Sequence, residues 1–268
     1  MSDIAFLGGG NMASAIAYGI TNSLRDLSLS VYDKNTEKLN YWTSKGVLGF
    51  LMPNEELSES RLWILAVKPQ NMKELCESIT PFIQPDTLIL SVAAGITTSS
   101  ISKWLCDHTS IIRCMPNTPS TIGIGATAVY ARESVSKRDL DFVLSLLSTI
   151  GTTEVLNDEG LLDAVTGLSG SGPAYVYYFL ESLIEGGIGL GLTKETAKSL
   201  AIQTVIGATQ LAQTSEDSIA RLRENVTSKG GTTKAALDIL EKNNFKNIVI
   251  EAMKAAKDRA AELSKEFK

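Results

Sequence analysis

The sequence predicts an α/β fold in its first half and an all-helical fold in its second half. Up to about Glu159, short β-type runs alternate with amphipathic helical patterns, which is typical of a parallel sheet built from βαβ units. The first run, Ile4–Leu7, breaks into Gly8, Gly9 and Gly10 and then continues as a helical pattern. After Glu159, nearly every pattern has apolar residues at helical spacing. We therefore predict a Rossmann-like domain with a parallel-rich sheet, followed by a helical domain.

The strands and helices of the first domain follow from these patterns. Strands are predicted near Asp3–Leu7, Ser28–Tyr32, Leu62–Val67, Thr87–Ser91, Ser110–Met115, Ala126–Tyr130 and Thr153–Leu156, with a short strand near Val47–Phe50 as an open alternative. Helices are predicted around Met12–Ser23, Glu37–Lys45, Asn71–Ile79, Thr98–Leu105 and Lys137–Ile150. Ligands of such sheets bind beyond the carboxyl ends of the strands, so the residues that follow each strand are candidates for function.

The boundary between the domains is predicted at residues 159 and 160, with a first domain of residues 1–159 and a second of residues 160–268. Helices of the second domain are predicted at Pro173–Glu185, Lys194–Gln213, Ser215–Val226 and from Thr233 onward. We expect Gly186–Gly191 to end the first of these, Asn243-Asn244 to divide the last, and Glu251–Lys268 to form a solvated helix face. The many glycines and alanines permit close helix approach within one chain or between subunits, and we predict a dimerisation domain in a homodimer or higher homo-oligomer.

The composition excludes several classes of function. A net charge of -5, a pI near 5.1 and the lack of a basic tract argue against a nucleic-acid surface. No apolar run approaches a membrane span and no leader precedes Ile4, so neither membrane nor export is expected. Three cysteines without metal-ligand spacing fit a reduced, cytoplasmic protein with no metal site. The only histidine, His108, lies in a polar run and is predicted to be exposed.

The glycine-rich turn has the spacing Gly8-x-Gly10-x-x-Ala13 of a dinucleotide-binding strand, turn and helix. Gly8 permits the tight turn, Gly10 lets the backbone approach a pyrophosphate, and Ala13 allows close packing of helix on strand. The N–H groups and the dipole of the following helix would face the phosphates. A structural turn is the alternative, since a glycine fingerprint alone is weak evidence.

Four later segments combine small residues, prolines and charges in a way that simple packing does not require. They are Ala66–Gln70, Ser91–Gly95, Arg113–Pro119 and Gly167–Tyr175. Each alone could be an ordinary turn. Together with Gly8–Ala13 and Val226–Thr233, in this order along the chain, they closely resemble the pyrroline-5-carboxylate reductase family. The resemblance implies NAD(P)H-dependent reduction of 1-pyrroline-5-carboxylate to L-proline, the last step of proline biosynthesis.

The resemblance also implies which residues form the site. The cofactor contacts carry over to Gly8, Gly9, Gly10, Asn11, Met12, Ala13, Asn54, Ala66, Val67, Lys68, Pro69, Ala93, Ala94, Glu159 and Asn225. The substrate loop carries over to Ser228, Gly230, Gly231, Thr232 and Thr233. One departure is Lys229, where the family usually has proline, and it bears on the stiffness of the loop.

Apart from the family resemblance, the residue types themselves suit the reduction of a cyclic imine by hydride. Hydride attack on a protonated cyclic imine needs orientation and a proton on nitrogen, and it needs no strong general base. Consecutive N–H groups at Gly230–Thr233, opening a helix, would bind the substrate carboxylate. The resemblance makes Thr233 the catalytic candidate, as hydrogen-bond partner of or proton donor to the imine nitrogen. We favour positioning, because a free hydroxyl is a poor acid, and the plain alternative is that Thr233 caps a helix.

The sequence and the family resemblance point to different cofactors, NADH and NADPH. Asp33 follows the second strand, where a carboxylate normally bonds the ribose 2′-OH and favours NAD. Lys34 follows directly and Lys38 lies a turn later, so a 2′-phosphate could also be held. The family tends to use NADPH with an uncharged residue in place of Asp33. We predict NADPH, with NADH also accepted.

Two other functions are alternatives to this reductase. A β-hydroxyacid dehydrogenase shares the two-domain plan but places a catalytic lysine one helical turn beyond the glycines at the domain junction. This chain has no lysine in the matching stretch, Pro173–Tyr178. A binding protein that senses nucleotide without turnover is disfavoured by the intact Ser228–Thr233 loop.

Overall fold

The computed structural model describes residues 2–24 and 26–266. The chain divides into two compact units. Unit 1 contains Met1–Ser171 and Met253–Lys268, and unit 2 contains Gly172–Ala252. This division by compactness places the end of the chain with the first unit, and the predicted boundary at residues 159 and 160 stays a prediction.

Unit 1 is built on an eight-stranded sheet in the described residues. Its strands are β1 (Ile4–Leu7), β2 (Leu29–Tyr32), β3 (Leu48–Phe50), β4 (Leu62–Leu65), β5 (Leu88–Ser91), β6 (Ile111–Met115), β7 (Gly125–Ala131) and β8 (Gly151–Leu156). They lie in the order β3-β2-β1-β4-β5-β6-β7-β8, and every pair of neighbours is parallel except the antiparallel pair β6 and β7. The predicted α/β class and parallel-rich sheet are confirmed, including the short strand β3.

Helices cover both faces of this sheet. They are α1 (Asn11–Ser23), α2 (Thr36–Thr43), α3 (Met72–Ile79), α4 (Thr98–Trp104), α5 (Lys137–Leu147) and α6 (Leu161–Val165). Alternate residues of β1 serve the two cores, because successive side chains of a strand point to opposite faces. Ile4 and Phe6 join the core under α1, α2 and α5, while Ala5 and Leu7 join the core under α3 and α4. Continuous burial of the central strands explains their unbroken apolar runs.

Unit 2 is helical, as predicted. It contains α7 (Gly172–Gly189), α8 (Lys194–Thr214), α9 (Ile219–Asn225), α10 (Thr232–Lys242) and the first part of α11 (Phe245–Glu266). The predicted break at Asn243-Asn244 is confirmed, with Asn244 at a φ of 56°. The predicted break within Gly186–Gly191 is confirmed, because α7 ends at Gly189, four residues beyond the predicted last residue Glu185. A helical glycine costs only about 1 kcal/mol, and Gly187 allows a close approach of α8, where Ala197 Cβ would lie 3.1 Å from an added Cβ.

Two further predictions need correction. The tail Glu251–Lys268 is only partly a solvated face, since Ala260 is buried and Leu263 packs against Gly95 (residues 267 and 268 lie outside the described residues). His108 is half-buried, and its Nε2–H donates to the carbonyl oxygen of Thr87 at 2.7 Å. Burial lowers the pKa of this imidazole, and the bond to Thr87 offsets part of that effect.

Candidate functional site

The glycine-rich turn joins β1 to α1 at the carboxyl edge of the sheet. Gly8 has a φ of +106° and lies so close to β4 that an added Cβ would sit 2.8 Å from the Ala66 carbonyl group. Only glycine fits both conditions. Gly10 occupies the position before α1, and no side chain caps this helix. The N–H groups at the start of the 13-residue helix α1, around Asn11 and Met12, are therefore available to an anion, while Ala13 is buried against the sheet.

A cavity of about 600 Å³ lies beside this turn. Gly9, Gly10 and Asn11 line it from the turn, and Lys38 and Tyr41 line it from α2. The cavity thus brings the N-terminal end of α1 together with the helix that follows β2. Such a setting suits a phosphate-bearing ligand, because the helix end and Lys38 are both positive.

Asp33, at the end of β2, turns its carboxylate toward the glycine-rich turn. Oδ2 accepts the Gly9 N–H at 2.8 Å and lies 3.2 Å from Lys38 Nζ, while Oδ1 accepts the Asn35 N–H at 2.9 Å. Burial alone would raise the pKa of Asp33, but the N–H groups of Asn35 and Gly9, together with Lys38, hold that pKa below its usual value. Lys34 Nζ instead contacts Glu74 of α3 at 2.6 Å, with both side chains mostly exposed.

Small or exposed residues follow β4 and β5 at the carboxyl edge of the sheet. Ala66 donates its N–H to the carbonyl oxygen of Leu7, and Val67, Lys68 and Pro69 lead away from the sheet, with Lys68 exposed. After β5, Ala93 is buried and Ala94 is half-buried. Asn54 caps the short 3₁₀ helix Glu55–Glu59, its Oδ1 accepting the Glu56 N–H at 3.1 Å.

Glu159 forms a network that the sequence patterns did not reveal. Its Oε1 accepts the Thr98 N–H at 2.7 Å and an Arg113 N–H at 3.1 Å, and its Oε2 accepts the Thr98 hydroxyl at 2.8 Å. The Arg113 side chain is only 4% exposed, so Glu159 is the partner of a buried charge. Asp163 lies near this network, and burial raises the pKa of its carboxyl although Arg113 and Lys257 oppose the shift.

The segment Gly167–Tyr175 is helical rather than a turn. Residues Thr166–Gly170 form a π-helical turn that continues α6, and α7 starts at Gly172. Within unit 1, Asn117 after β6 joins this turn, because its Nδ2 donates to the carbonyl oxygen of Ser169 at 3.1 Å. The sequence singled out both segments, but the contact between them depends on folding and has no local signal.

The Ser228–Thr233 loop of unit 2 forms the predicted helix start. Gly230 has a φ of +73°, Gly231 lies at the capping position of α10, and no side chain caps this helix. Thr232 is exposed and Thr233 is half-buried, one residue further along α10. The alternative of Thr233 as an ordinary capping residue is therefore wrong. The N–H groups that open α10 are available to an anion such as a carboxylate.

The predicted residues fall into both units. Ser228, Lys229 and the rest of this loop belong to unit 2, as does Asn225, whose Nδ2 donates to Asp217 Oδ2 at 3.2 Å. The other predicted cofactor residues belong to unit 1. Two side chains that the prediction left out, Trp42 and Arg113, contact the predicted ones directly.

Within residues 2–24 and 26–266, no group of three or more His, Cys, Asp or Glu side chains is arranged to hold a metal ion. Cys76 and Cys114 are buried free thiols, and Cys106 is an exposed one. No helix in the described part of the chain is long and apolar enough to cross a membrane.

Comparison with known proteins shows similarity along nearly the whole chain. The pyrroline-5-carboxylate reductase of Pseudomonas aeruginosa is 38% identical over 266 residues, covering 98% of this chain and 97% of that protein. The protein of the same name from Pisum sativum is 36% identical, covering 97% and 96%. A solved pyrroline-5-carboxylate reductase from Coxiella burnetii is 39% identical with a TM-score of 0.91, and 98% of each chain is covered.

A solved pyrroline carboxylate reductase from Plasmodium falciparum, which has NADP bound, is 30% identical with a TM-score of 0.86 and 98% coverage of each chain. Two family models also match. Residues 159–263 match a model described as pyrroline-5-carboxylate reductase dimerisation. Residues 3–95 match a model described as NADP oxidoreductase, coenzyme F420-dependent.

Proposed function

This chain belongs to the pyrroline-5-carboxylate reductase family, and from that premise we propose that it reduces 1-pyrroline-5-carboxylate to L-proline. It is an NAD(P)-dependent oxidoreductase of proline biosynthesis. The observation that carries this function is the match of 38% identity over 98% of the chain, which includes both the glycine-rich turn and the substrate loop. Hydride is transferred to the imine carbon, and the bound reduced nicotinamide supplies it.

The residues of unit 1 fit a dinucleotide. Gly8 closes the turn against Ala66, and the uncapped N-terminus of α1 offers N–H groups to a pyrophosphate. Small residues follow β5 at Ala93 and Ala94, where a flat ring needs room. We propose that these groups, with Asn54, Lys68 and Glu159, form the cofactor site of unit 1. Asn225, in unit 2, stays a predicted cofactor residue.

The residues of unit 2 fit the substrate carboxylate. The uncapped start of α10 offers the N–H groups of Thr232 and Thr233 together with the positive end of a helix dipole, while the Gly231 N–H already donates to the Ser228 carbonyl oxygen at 3.1 Å. We propose that these groups hold the carboxylate and that the Thr233 hydroxyl positions the imine nitrogen. Proton transfer by Thr233 is the second candidate role.

We propose NADPH as the preferred cofactor, with NADH also accepted. The cation beside Asp33 is Lys38, which offsets the carboxylate that would repel a 2′-phosphate. Asp33 itself is occupied by Gly9 and Asn35, which limits its role as a partner of ribose hydroxyls. The P. falciparum relative with NADP bound supports the same choice.

We propose that the functional unit is a homodimer or a higher homo-oligomer formed through the helical part. In the single chain, unit 2 leaves large apolar side chains in water, among them Leu190 at 88% exposure, Tyr178 and Ile219. Patches of this kind mark protein interfaces, and the dimerisation model matches this region. A cytoplasmic location is a further proposal, which the three free cysteines support.

The test of this function is a direct assay of the purified chain. With 1-pyrroline-5-carboxylate and NADPH we expect loss of the reduced nicotinamide absorbance and formation of L-proline. Repeating the assay with NADH gives the cofactor preference. Tight NADPH binding without turnover would instead support the sensing protein, and light scattering on the same sample would show whether the active species is a dimer.

A further inference from the structure

Gly9, the middle residue of the glycine-rich turn, is held on both sides by side chains from elsewhere. Its N–H donates to Asp33 Oδ2 at 2.8 Å, and its carbonyl oxygen accepts the Trp42 Nε1–H at 3.3 Å. Trp42 is on α2, 33 positions along the chain from Gly9. The usual dinucleotide fingerprint leaves this middle position open to any residue. In this chain, two long-range bonds determine its orientation.

Trp42 is itself firmly held. Its side chain is 2% exposed, its ring lies 5.1 Å from that of Phe6, and its carbonyl oxygen accepts the N–H groups of Lys45 and Val47. The indole also occupies the space beside Gly9, because an added Cβ there would lie 2.8 Å from Trp42 Nε1. Position 9 therefore requires glycine because of Trp42.

The bond to Trp42 has a direct consequence for the next residue. In a trans peptide the C=O and N–H groups point in opposite directions. Since the Gly9 carbonyl faces Trp42, the Gly10 N–H of the same peptide points away from the indole. Gly10 is the residue before α1, whose first N–H groups continue from it. The indole N–H thus controls how the chain presents these donors.

We propose that Trp42 is a positioning residue of the dinucleotide site, which orients the Gly9–Gly10 peptide for the cofactor's pyrophosphate. This rests on the cofactor site of the proposed function. Trp42 does not touch the phosphates in this role. It acts by fixing the turn before the ligand arrives, which lowers the ordering cost of binding.

The test is the variant Trp42→Phe, which removes the N–H donor and keeps an aromatic ring. The Kd of NADPH, measured by calorimetry, should rise by about 5- to 30-fold, the effect of losing one hydrogen bond of this kind. The turnover number at saturating NADPH should stay within about 2-fold of the wild type, because only binding is affected.

Trp63→Phe is the matched control. Trp63 is fully buried, and its Nε1–H also donates to backbone carbonyls, those of Leu57 and Ser60, away from the glycine-rich turn. This variant should lose thermal stability to a similar extent while its Kd for NADPH stays within about 2-fold of the wild type. Equal weakening of NADPH binding in both variants, or none in Trp42→Phe, would overturn the proposal.

Gly9→Ala provides a second variant if Trp42→Phe does not fold. The added methyl group meets the indole nitrogen, so NADPH binding should weaken in the same direction. A Gly9→Ala chain that binds NADPH like the wild type would contradict the role of Trp42. Failure of the proposed function is a separate result: the wild-type chain would then bind no NADPH or form no proline.

Discussion

Replacing Glu159 by glutamine removes one charge from the buried network of unit 1. Glu159 is the salt-bridge partner of Arg113 and also accepts both the N–H and the hydroxyl of Thr98, at the start of α4. Glutamine has nearly the same shape and keeps one acceptor oxygen. The variant therefore tests the charge itself with little change in packing.

The magnitude follows from the burial of the two partners. Breaking a fully buried ion pair by removing one partner costs about 3–5 kcal/mol. The Arg113 side chain is 4% exposed and that of Glu159 is 20% exposed, so water screens the pair in part. We expect Glu159→Gln to lower the free energy of unfolding by about 2–3 kcal/mol, and the melting temperature by roughly 5–10 °C.

Urea unfolding and calorimetry at one fixed protein concentration measure this loss, since assembly would otherwise shift the apparent stability. Glu154→Gln is the control, because Glu154 is an exposed residue of β8 and its loss should cost less than about 0.5 kcal/mol. The Kd of NADPH for Glu159→Gln reports separately on the proposed cofactor contact. If Glu159→Gln unfolds like the Glu154→Gln control, the structural role of the network is refuted.

Four further predictions concern catalysis, cofactor, pH and assembly. Thr233→Ala should lower kcat by about 5- to 150-fold with an unchanged Kd for NADPH; steady-state rates equal to the wild type would exclude Thr233 from the site. Lys38→Ala should weaken NADPH by about 3- to 10-fold and more than Lys34→Ala does, because Lys38 lies against the carboxylate after β2; equal Kd values would contradict this order. The pKa of His108 is lowered in the folded state, so its contribution to stability is present above about pH 6.5 and is lost as pH falls through the folded pKa. Urea unfolding should therefore show a smaller free energy of unfolding near pH 5.5 than near pH 7.5. His108→Gln should reduce that difference. Light scattering during turnover should give at least a dimer, and a fully active monomer would refute the proposed assembly.

The sheet could be predicted from the sequence because its central strands are buried on both faces. Short apolar runs between polar turns are typical of strands that are buried on both faces of a parallel sheet. The central strands Ile4–Leu7, Leu62–Leu65 and Leu88–Ser91 are runs of this kind. The last turn of α7 could not be predicted, because the contact of Gly187 with Ala197 of α8 has no local signal in the sequence. Local preference is overridden there by tertiary contact.

The candidate site, like the fold, could be predicted from the sequence only in part. The uncapped starts of α1 and α10 follow from local sequence, since Gly10 and Gly231 each precede a helical pattern and offer no side chain as a cap. The contacts of Trp42 with Gly9 and of Arg113 with Glu159 could not be predicted, although the segment that begins at Arg113 was a candidate, because they join residues more than 30 positions apart. In the sequence, nothing distinguishes Trp42 from any other apolar residue of an amphipathic helix.

Transfer of labelled hydride tests the central claim most directly. The purified chain would be incubated with 1-pyrroline-5-carboxylate and NADPH that carries deuterium at the transferable position of the nicotinamide, and the product examined by mass spectrometry. The account predicts L-proline that contains one deuterium, on the carbon that belonged to the imine. Formation of unlabelled proline, or NADPH bound with no proline formed, would contradict it.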